Sequence, residues 1–332
     1  MVTSDQLKYK TLEDVPGVGP GLVKQLRDVG IHTVEGLATA TVGEVTASGI
    51  GEATAIKIIE ITRKTMALRF ITAEELAERR KKMKKMTTGC SSLDAIMNGG
   101  LETQSITEFY GEFASGKSQL CHQLCVTVQL PEEKGGLDGG ALIIDTEQVF
   151  RPDRIVQIAP RLGLDPKDVL KRIVFAEAIS SSHQMILLEN ADEVIKENNI
   201  RLIIIDSLTG NFRSEYMGRE MLAPRQQQLN KHMYKLLRLT RAFNAVAAVT
   251  NQVSATPDAY AGFHPTPIGG HIVGHRSHTR IYLRKGRSNF RVATIVASPF
   301  LPEREAPMRI TDRGIEYTEE IKESQTEDAG GA

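Results

Sequence analysis

The sequence predicts an α/β domain on a mostly parallel sheet, preceded by a small all-α domain. Three observations predict it. Between about Thr87 and Thr318, short β-branched or apolar runs alternate with segments of helical apolar spacing, the pattern of strands joined by crossover helices. From about Thr11 to Leu68, short helical stretches are punctuated by Gly and Pro. Finally, 332 residues exceed the size at which one core usually stops growing. These readings divide the chain into 1–68, a linker over 69–86, a large domain over 87–318 and an acidic, Gly-rich tail over 319–332 that is expected to be disordered.

The small domain carries an internal repeat. Val15-Pro16-Gly17-Val18-Gly19-Pro20 and Ala47-Ser48-Gly49-Ile50-Gly51-Glu52 each precede an amphipathic helical stretch. Glycines there permit a tight turn exposing successive backbone N–H groups, a nest for a phosphate oxygen. The arrangement resembles the helix-hairpin-helix module, which grips DNA backbone without reading sequence; alternatively each Gly-x-Gly merely joins two packed helices. The linker follows, with the basic cluster Arg79, Arg80, Lys81, Lys82, Lys84 and Lys85, which reads as a solvated connector helix or as a DNA contact.

In the large domain, Ser105–Tyr110, Ala141–Asp145, Arg172–Ala176, Arg201–Asp206 and Ala245–Thr250 read as buried strands. Ser118–Val128 and His183–Glu197 have helical spacing. Arg280–Arg284 and Arg291–Ala297, split by Lys285–Asn289, read as a hairpin extending the sheet edge.

The strongest chemical signal is Gly111-Glu112-Phe113-Ala114-Ser115-Gly116-Lys117-Ser118, followed by Gln119. It matches G-x-x-x-x-G-K-[ST] between a predicted strand and a predicted helix, the context that makes the motif a phosphate loop. Its amides and the helix N-terminus receive the β-phosphate, Lys117 neutralises β/γ oxygens, and the Ser118 hydroxyl serves Mg²⁺. The motif therefore reads as an NTP site. Leu202-Ile203-Ile204-Ile205 drives a strand through the core and delivers Asp206 to its end as a second metal group, unless it serves as a helix cap. Asp145-Thr146-Glu147 ends a neighbouring strand, and Glu147 is the candidate for orienting water; a solvated strand-end acid is the other reading.

Composition narrows the partners. Hydrophobic residues make up 41% and charged residues 25%, as in ordinary globular proteins. Aromatics at 5% without tryptophan argue against an aromatic-lined sugar or base surface. With 41 basic and 41 acidic residues the net charge is zero, so any nucleic-acid contact must use local basic stripes. Three cysteines (Cys90, Cys121 and Cys125) are odd in number and read as buried thiols, outside an oxidising compartment. No apolar run approaches the ~20 residues of a membrane span, and a cytoplasmic, nucleoid-associated protein is expected.

Further motifs point one way. Asp145-Thr146-Glu147 continues to Phe150-Arg151-Pro152-Asp153-Arg154, followed by Phe212-Arg213-Ser214-Glu215-Tyr216, Arg225-Gln226-Gln227, Thr250-Asn251-Gln252-Val253, Gly269-Gly270-His271 and Tyr282-Leu283-Arg284-Lys285-Gly286. Together they resemble the archaeal RadA-type strand-exchange recombinases of the RecA-like group, from about Leu12 to Tyr317. The resemblance implies a RecA-like ATPase core that forms a filament or ring of its own copies, binds single- and double-stranded DNA, and exchanges strands in recombination and DNA repair, with mediator proteins as further partners. By the same resemblance Glu147 is the catalytic glutamate, Arg154 stacks on adenine, and Gln252 senses the γ-phosphate. Gln252 leads into an unstructured DNA loop from about Val253 to Gly274, with Gly269 and Gly270 near its end and His275 as a switch. A second DNA loop spans Arg213–Gln227, with Arg213, Tyr216, Arg219 and Arg225 near the filament axis. Phe70 and Ala73 of Phe70-Ile71-Thr72-Ala73 match a polymerisation motif, and Ser298–Pro302, ending in Pro302, caps the neighbouring subunit's nucleotide.

Four departures stand out. Ala114 replaces a usual Gly, Ser118 a usual Thr, and Arg276-Ser277-His278 a run of small residues. Ala297 stands where archaeal relatives commonly have an Asp that helps hold a monovalent cation, which leaves a potassium requirement open. A recombination mediator that binds nucleotide without exchanging strands, and a ring-forming helicase motor, are the competing classes. The complete DNA loops and the Phe70–Ala73 motif weigh against the first, which Ala297 keeps open, and the hairpin domain together with that motif weighs against the second.

Overall fold

A computed structural model describes residues 9–65, 72–81, 83–253 and 267–318. Among the described residues, four α-helices form the small domain after a short 3-10 turn at Leu12–Asp14: α1 (Pro20–Asp28), α2 (Val34–Thr39), α3 (Val42–Thr46) and α4 (Glu52–Thr65). Thr33 and Thr41 start α2 and α3 by accepting from Gly36 N and Glu44 N, relieving amides that have no partner within the helix. Both repeated Gly-rich turns lie directly ahead of α1 and α4, and Gly17 and Gly49 adopt φ of 89° and 86°, the left-handed region that favours glycine.

The charged linker contains α5 (Ala73–Lys81) and leads into β1 (Lys85–Met86). Then come α6 (Ser91–Ile96), β2 (Leu101–Glu102), β3 (Ile106–Gly111), α7 (Lys117–Thr127), β4 (Gly140–Asp145), α8 (Pro152–Ile158), α9 (Pro166–Lys171) and β5 (Ile173–Glu177). The second half holds α10 (Ser181–Glu189), α11 (Ala191–Glu197), β6 (Ile200–Asp206), α12 (Gly210–Glu215), α13 (Leu222–Ala242), β7 (Val246–Gln252), α14 (Gly270–Arg276), β8 (Thr279–Lys285), β9 (Phe290–Ala297), β10 (Glu305–Thr311) and β11 (Gly314–Tyr317).

Nine strands form one sheet in the order β11-β10-β9-β8-β3-β7-β6-β4-β5. The run β8-β3-β7-β6-β4-β5 is parallel, and β9, β10 and β11 add antiparallel partners beyond it. Side-chain alternation divides the core between the two faces. Leu202 and Ile204 of β6 join Ile143 of β4 and Ala248 of β7 on the face covered by α7, while Ile203, Ile205, Ile144 and Val249 pack beneath α13.

Several expectations are corrected. The segment 173–177 is an edge strand in which no side chain is fully buried: Ile173 and Val174 are half-buried on opposite faces and Phe175 is 46% exposed. The β8–β9 hairpin does extend the parallel sheet, but it is not the last addition, because β10 and β11 continue beyond it. His183–Glu197 is two helices, broken at Asn190 (φ −96°, ψ 8°). The segment 213–227 is largely helical, in α12 and the start of α13, and the end of the Val253–Gly274 segment is α14 rather than irregular chain.

The small domain docks on the sheet's α11/α13 side. Asp192, fully buried, accepts from His32 N at 3.0 Å and from the Thr33 hydroxyl at 3.3 Å, while Glu44 pairs with Arg238 at 2.9 Å. Gly36 is needed there: a Cβ would lie 2.6 Å from Asp192 Oδ2. Among the described residues, no helix is long and apolar enough to cross a membrane.

On α13, His232 is buried against Gln184 and the Phe212 ring. Burial holds its imidazole down to about 4. The unfolded chain, with His near 6.5, thus binds an extra proton between these values, so stability is expected to fall as pH drops from about 6.5 to about 4. The loss is roughly 1.4 kcal/mol per pH unit, about 3 kcal/mol in all. Denaturant unfolding of wild type and His232→Gln across pH 4–8 reads the difference; parallel curves would exclude this site as its origin.

Candidate active site

The cleft at the C-terminal ends of the parallel strands is built first by register. Gly111, the last residue of β3, lies opposite Gln252 on β7 and Leu283 on β8. A Cβ on Gly111 would sit 2.3 Å from the Leu283 carbonyl oxygen, so only glycine permits this approach. The chain then turns through Ala114 (φ 61°) and Gly116 (φ 106°) into α7. The resulting cleft of about 940 Å³ is lined by the 111–119 loop and helix start together with Glu147, Arg154, Gln252 and Arg291.

Lys117 Nζ reaches the carbonyls of Gly111 (2.9 Å) and Glu112 (2.8 Å) across the loop mouth. Burial lowers its pKa, against the opposing pull of Asp206 and Glu147. Asp206, buried at the end of β6, accepts a hydrogen bond from the Thr250 hydroxyl and has the Ser118 hydroxyl close by. Burial nonetheless raises its pKa, with Glu147 and Asp145 adding to the rise. A buried carboxylate beside a hydroxyl and crowded by two other acids fits a divalent cation, which would relieve that penalty. Mg²⁺ in particular needs only one or two protein oxygens when phosphates supply others.

Glu147 is placed by a turn that Asp145 staples. Asp145, 1% exposed, accepts from Glu147 N at 3.0 Å and Phe150 N at 2.8 Å. Gln252 Nε2 then donates to Glu147 Oε1 at 2.9 Å. Two residues 105 positions apart in sequence thus meet above the phosphate loop.

Arg154 sits at the opposite wall with its guanidinium plane fixed. Nε donates to Gln119 Oε1 (2.8 Å), and the terminal nitrogens to the Thr311 (2.6 Å) and Asp312 (2.7 Å) carbonyls. A clamped, planar cation suits the face of a flat heterocycle.

The sequence reading missed two contributors. Arg291 Nε supports the loop by donating to the Ala114 carbonyl at 3.1 Å; read as one residue of a strand, it carried no local signal. His122 stacks on Phe150 (5.1 Å, 2° between planes), its Nδ1 donates to Ser118 O at 2.6 Å, and its Nε2 accepts from Arg151 N at 2.9 Å. It thereby ties Ser118 to the Glu147 turn. Its spacing four residues after Ser118 was the available clue.

The expected DNA residues fall on two neighbouring segments. Arg213 and Arg219 are exposed, Tyr216 closes α12 half-buried, and Arg225 is half-buried in the first turn of α13. Gly269 and Gly270 open α14 with φ of 99° and 59°, and Gln226 of α13 approaches Gly270. His275 is exposed in the last turn of α14 and does not line the cleft. Pro302 is exposed between β9 and β10, also away from its own chain's cleft. Ala73 is exposed at the start of α5, whereas Phe70 and loop residues 254–266 lie outside the described residues.

Other sequence features resolve structurally. In the basic cluster, Arg80 pairs with Glu102 (2.9 Å), Lys84 with Glu132, and Lys85 donates to Asn98 O (2.7 Å). Arg276 donates to Asn230 and lies over the Tyr234 ring at 5.4 Å, while His278 Nδ1 accepts from Ile106 N. All three cysteines are buried.

Ala114 occupies a left-handed conformation that disfavours a Cβ, typically by about 1–2 kcal/mol. Ala114→Gly is therefore expected to stabilise the protein by roughly 1 kcal/mol, about 2–4 °C in a melting experiment. A lower melting temperature would show that the loop relaxes around alanine.

Comparison with known proteins places this architecture. The Rad51 family model matches residues 79–318, and a tandem SAM-like helix-hairpin-helix model matches residues 9–64. The DNA repair and recombination protein RadA of Aeropyrum pernix is 46% identical over 312 residues, covering 94% of this chain and 98% of that protein. A RecA-like sheet with its phosphate loop at the strand ends, behind a helical hairpin domain, thus agrees with the match along nearly the whole chain: this protein belongs to the Rad51 family.

Proposed function

We propose that the chain is an ATP-dependent recombinase that forms a filament on single-stranded DNA and catalyses homologous pairing and strand exchange in recombination and repair. The Gln252–Glu147 contact carries the reading: it joins the water-orienting acid to the strand that leads into the 253–269 DNA segment. Family membership and the relative named a recombination protein support the same activity.

The 111–119 loop and helix start bind the ATP phosphates, Lys117 turning from the loop carbonyls to the β/γ oxygens. Arg154 offers its fixed plane to the adenine. Ser118 and Asp206 hold Mg²⁺, which when bound neutralises phosphate charge. Glu147 orients the attacking water, and Gln252 withdraws from or engages Glu147 as the γ-phosphate comes and goes. Gln252 thereby reports to the segment opened by Gly269 and Gly270, and Arg213, Tyr216, Arg219 and Arg225 hold the other side of the DNA. Backbone contacts suffice, because base pairing itself tests homology. Phe70 and Ala73 join one subunit to the next, and Pro302 covers the neighbouring nucleotide; such a head-to-tail contact that does not close generates a helix. His275 is the remaining nucleotide-linked switch, the two Gly-rich turns add phosphate contacts, and mediator proteins are further partners.

Glu147→Gln is expected to retain ATP binding and lose turnover by about 10²–10⁴-fold, the usual range for positioned acid–base groups; a steady-state ATPase assay that finds normal turnover would remove Glu147 from the mechanism. Strand exchange between a single-stranded circle and homologous linear duplex, with and without potassium, tests the activity itself. Joint molecules that need both ATP and homology are expected, with yield indifferent to potassium because Ala297 supplies no side-chain carboxylate for the cation. ATP turnover without joint molecules would favour a mediator instead.

A further inference from the structure

We infer that Asn251 is a positioning residue that joins the nucleotide site to both DNA segments, with the Thr209 hydroxyl as its link to the Arg213 segment. The inference rests on the recombinase reading above and concerns how its two sites communicate.

Asn251 is fully buried one residue before Gln252. A carboxamide has two acceptor lone pairs and two donor hydrogens, and here all four are used. Oδ1 accepts from the Thr209 hydroxyl at 2.7 Å and from Gln252 N at 2.9 Å. Nδ2 donates to Glu108 Oε1 at 2.9 Å and to the Ile268 carbonyl. The partners fix the orientation of the amide, because a backbone N–H can meet only the oxygen and a carboxylate only the nitrogen.

Each partner belongs to a different part of the machine. Thr209 immediately precedes α12, which bears Arg213. Ile268 immediately precedes Gly269 and Gly270, and its own N–H donates to Gln252 O at 2.9 Å. Glu108 lies three residues before Gly111 on the phosphate-loop strand, is fully buried, and accepts from Arg280 Nε at 2.7 Å. Gln252 reaches Glu147.

The two DNA-segment roots also touch. At Gly269 a Cβ would lie 3.3 Å from Thr209 Cγ2 and 2.6 Å from Val273 Cγ2, so the second root is packed against the first. A fully satisfied buried network is stiff, and a half-broken one is costly. Movement of the Gln252 backbone must therefore either carry Thr209 and Ile268 with it or break these bonds. An aspartate in place of Asn251 would lose both donors and face Glu108 with like charge, so the amide is required.

The test uses the full chain and a labelled single-stranded oligonucleotide at fixed salt. The ratio of its dissociation constants in ADP and in a non-hydrolysable ATP analogue gives the coupling between sites, which linkage makes reciprocal. Thr209→Val removes the hydroxyl and keeps the shape. It is expected to reduce that ratio about fivefold or more, leave analogue affinity without DNA within about twofold, and be rescued by Thr209→Ser. Asn251→Ala is expected to bring the ratio close to one, with a melting curve confirming that the variant is folded. A ratio in Thr209→Val that stays within about twofold of wild type overturns the inference. So does an equal loss of analogue affinity without DNA, which marks a merely structural role. A wild-type ratio of one would instead sink the recombinase reading, and this inference with it.

Discussion

Parallel strands that finish at one level oblige their final residues to share a small space. Here Gly111 aligns with Gln252 and Leu283, and Asp145 aligns with Asp206. That alignment is set far from the cleft, by apolar side chains that alternate between two cores; slipping one strand by a residue would turn Ile203 and Ile204 to the wrong faces. The hydrophobic pattern of β6 and β7 thus determines where a carboxylate, a hydroxyl and an amide meet. The site's chemistry is a by-product of how the sheet packs.

Collecting charges in this way has an electrostatic cost. Asp206 is driven toward its neutral form by burial and by neighbouring acids, and Lys117 loses basicity for the same reason of lost hydration. Both are more comfortable once phosphates and a cation arrive. The protein accordingly holds an arrangement that is electrostatically incomplete without substrate, and ligand binding completes it. His122 and Arg291 keep the loop in place meanwhile, by bonds to the carbonyls of Ser118 and Ala114.

What could be read from the sequence was whatever is local. The phosphate loop, the strand ending in Asp206 and the parallel core strands each announce themselves within a dozen residues. Long-range facts did not. Nothing near Phe175 reveals that its strand has one neighbour, because edge position depends on which strands come to pair. β10 and β11 escaped notice because Pro307 and Arg309 interrupt the apolar pattern of half-buried strands. Helix α14 follows two glycines and a segment rich in proline, which read as irregular chain although α14 packs Val273 into the core beneath α13. Glu147 was nominated by its place at a strand end and Gln252 by resemblance, but the hydrogen bond joining them is a tertiary fact. Arg291 was invisible because it acts on a backbone carbonyl, which no side-chain motif encodes, and His122 left only its spacing from Ser118 as a clue.

The small domain has its own apolar core, sharing no residue with the two cores of the sheet domain. The hydrogen bonds and ion pairs described across the join, Asp192 to His32 and Thr33 and Glu44 to Arg238, are directional. A join of that kind acts as a sighting device: it contributes bearing more than strength. The Gly17 and Gly49 turns are thereby aimed by Asp192 and by the His32–Glu193 and Glu44–Arg238 pairs, so a change of one or two residues at Asp192 or Arg238 could swing the small domain to a new bearing without disturbing any of the three cores.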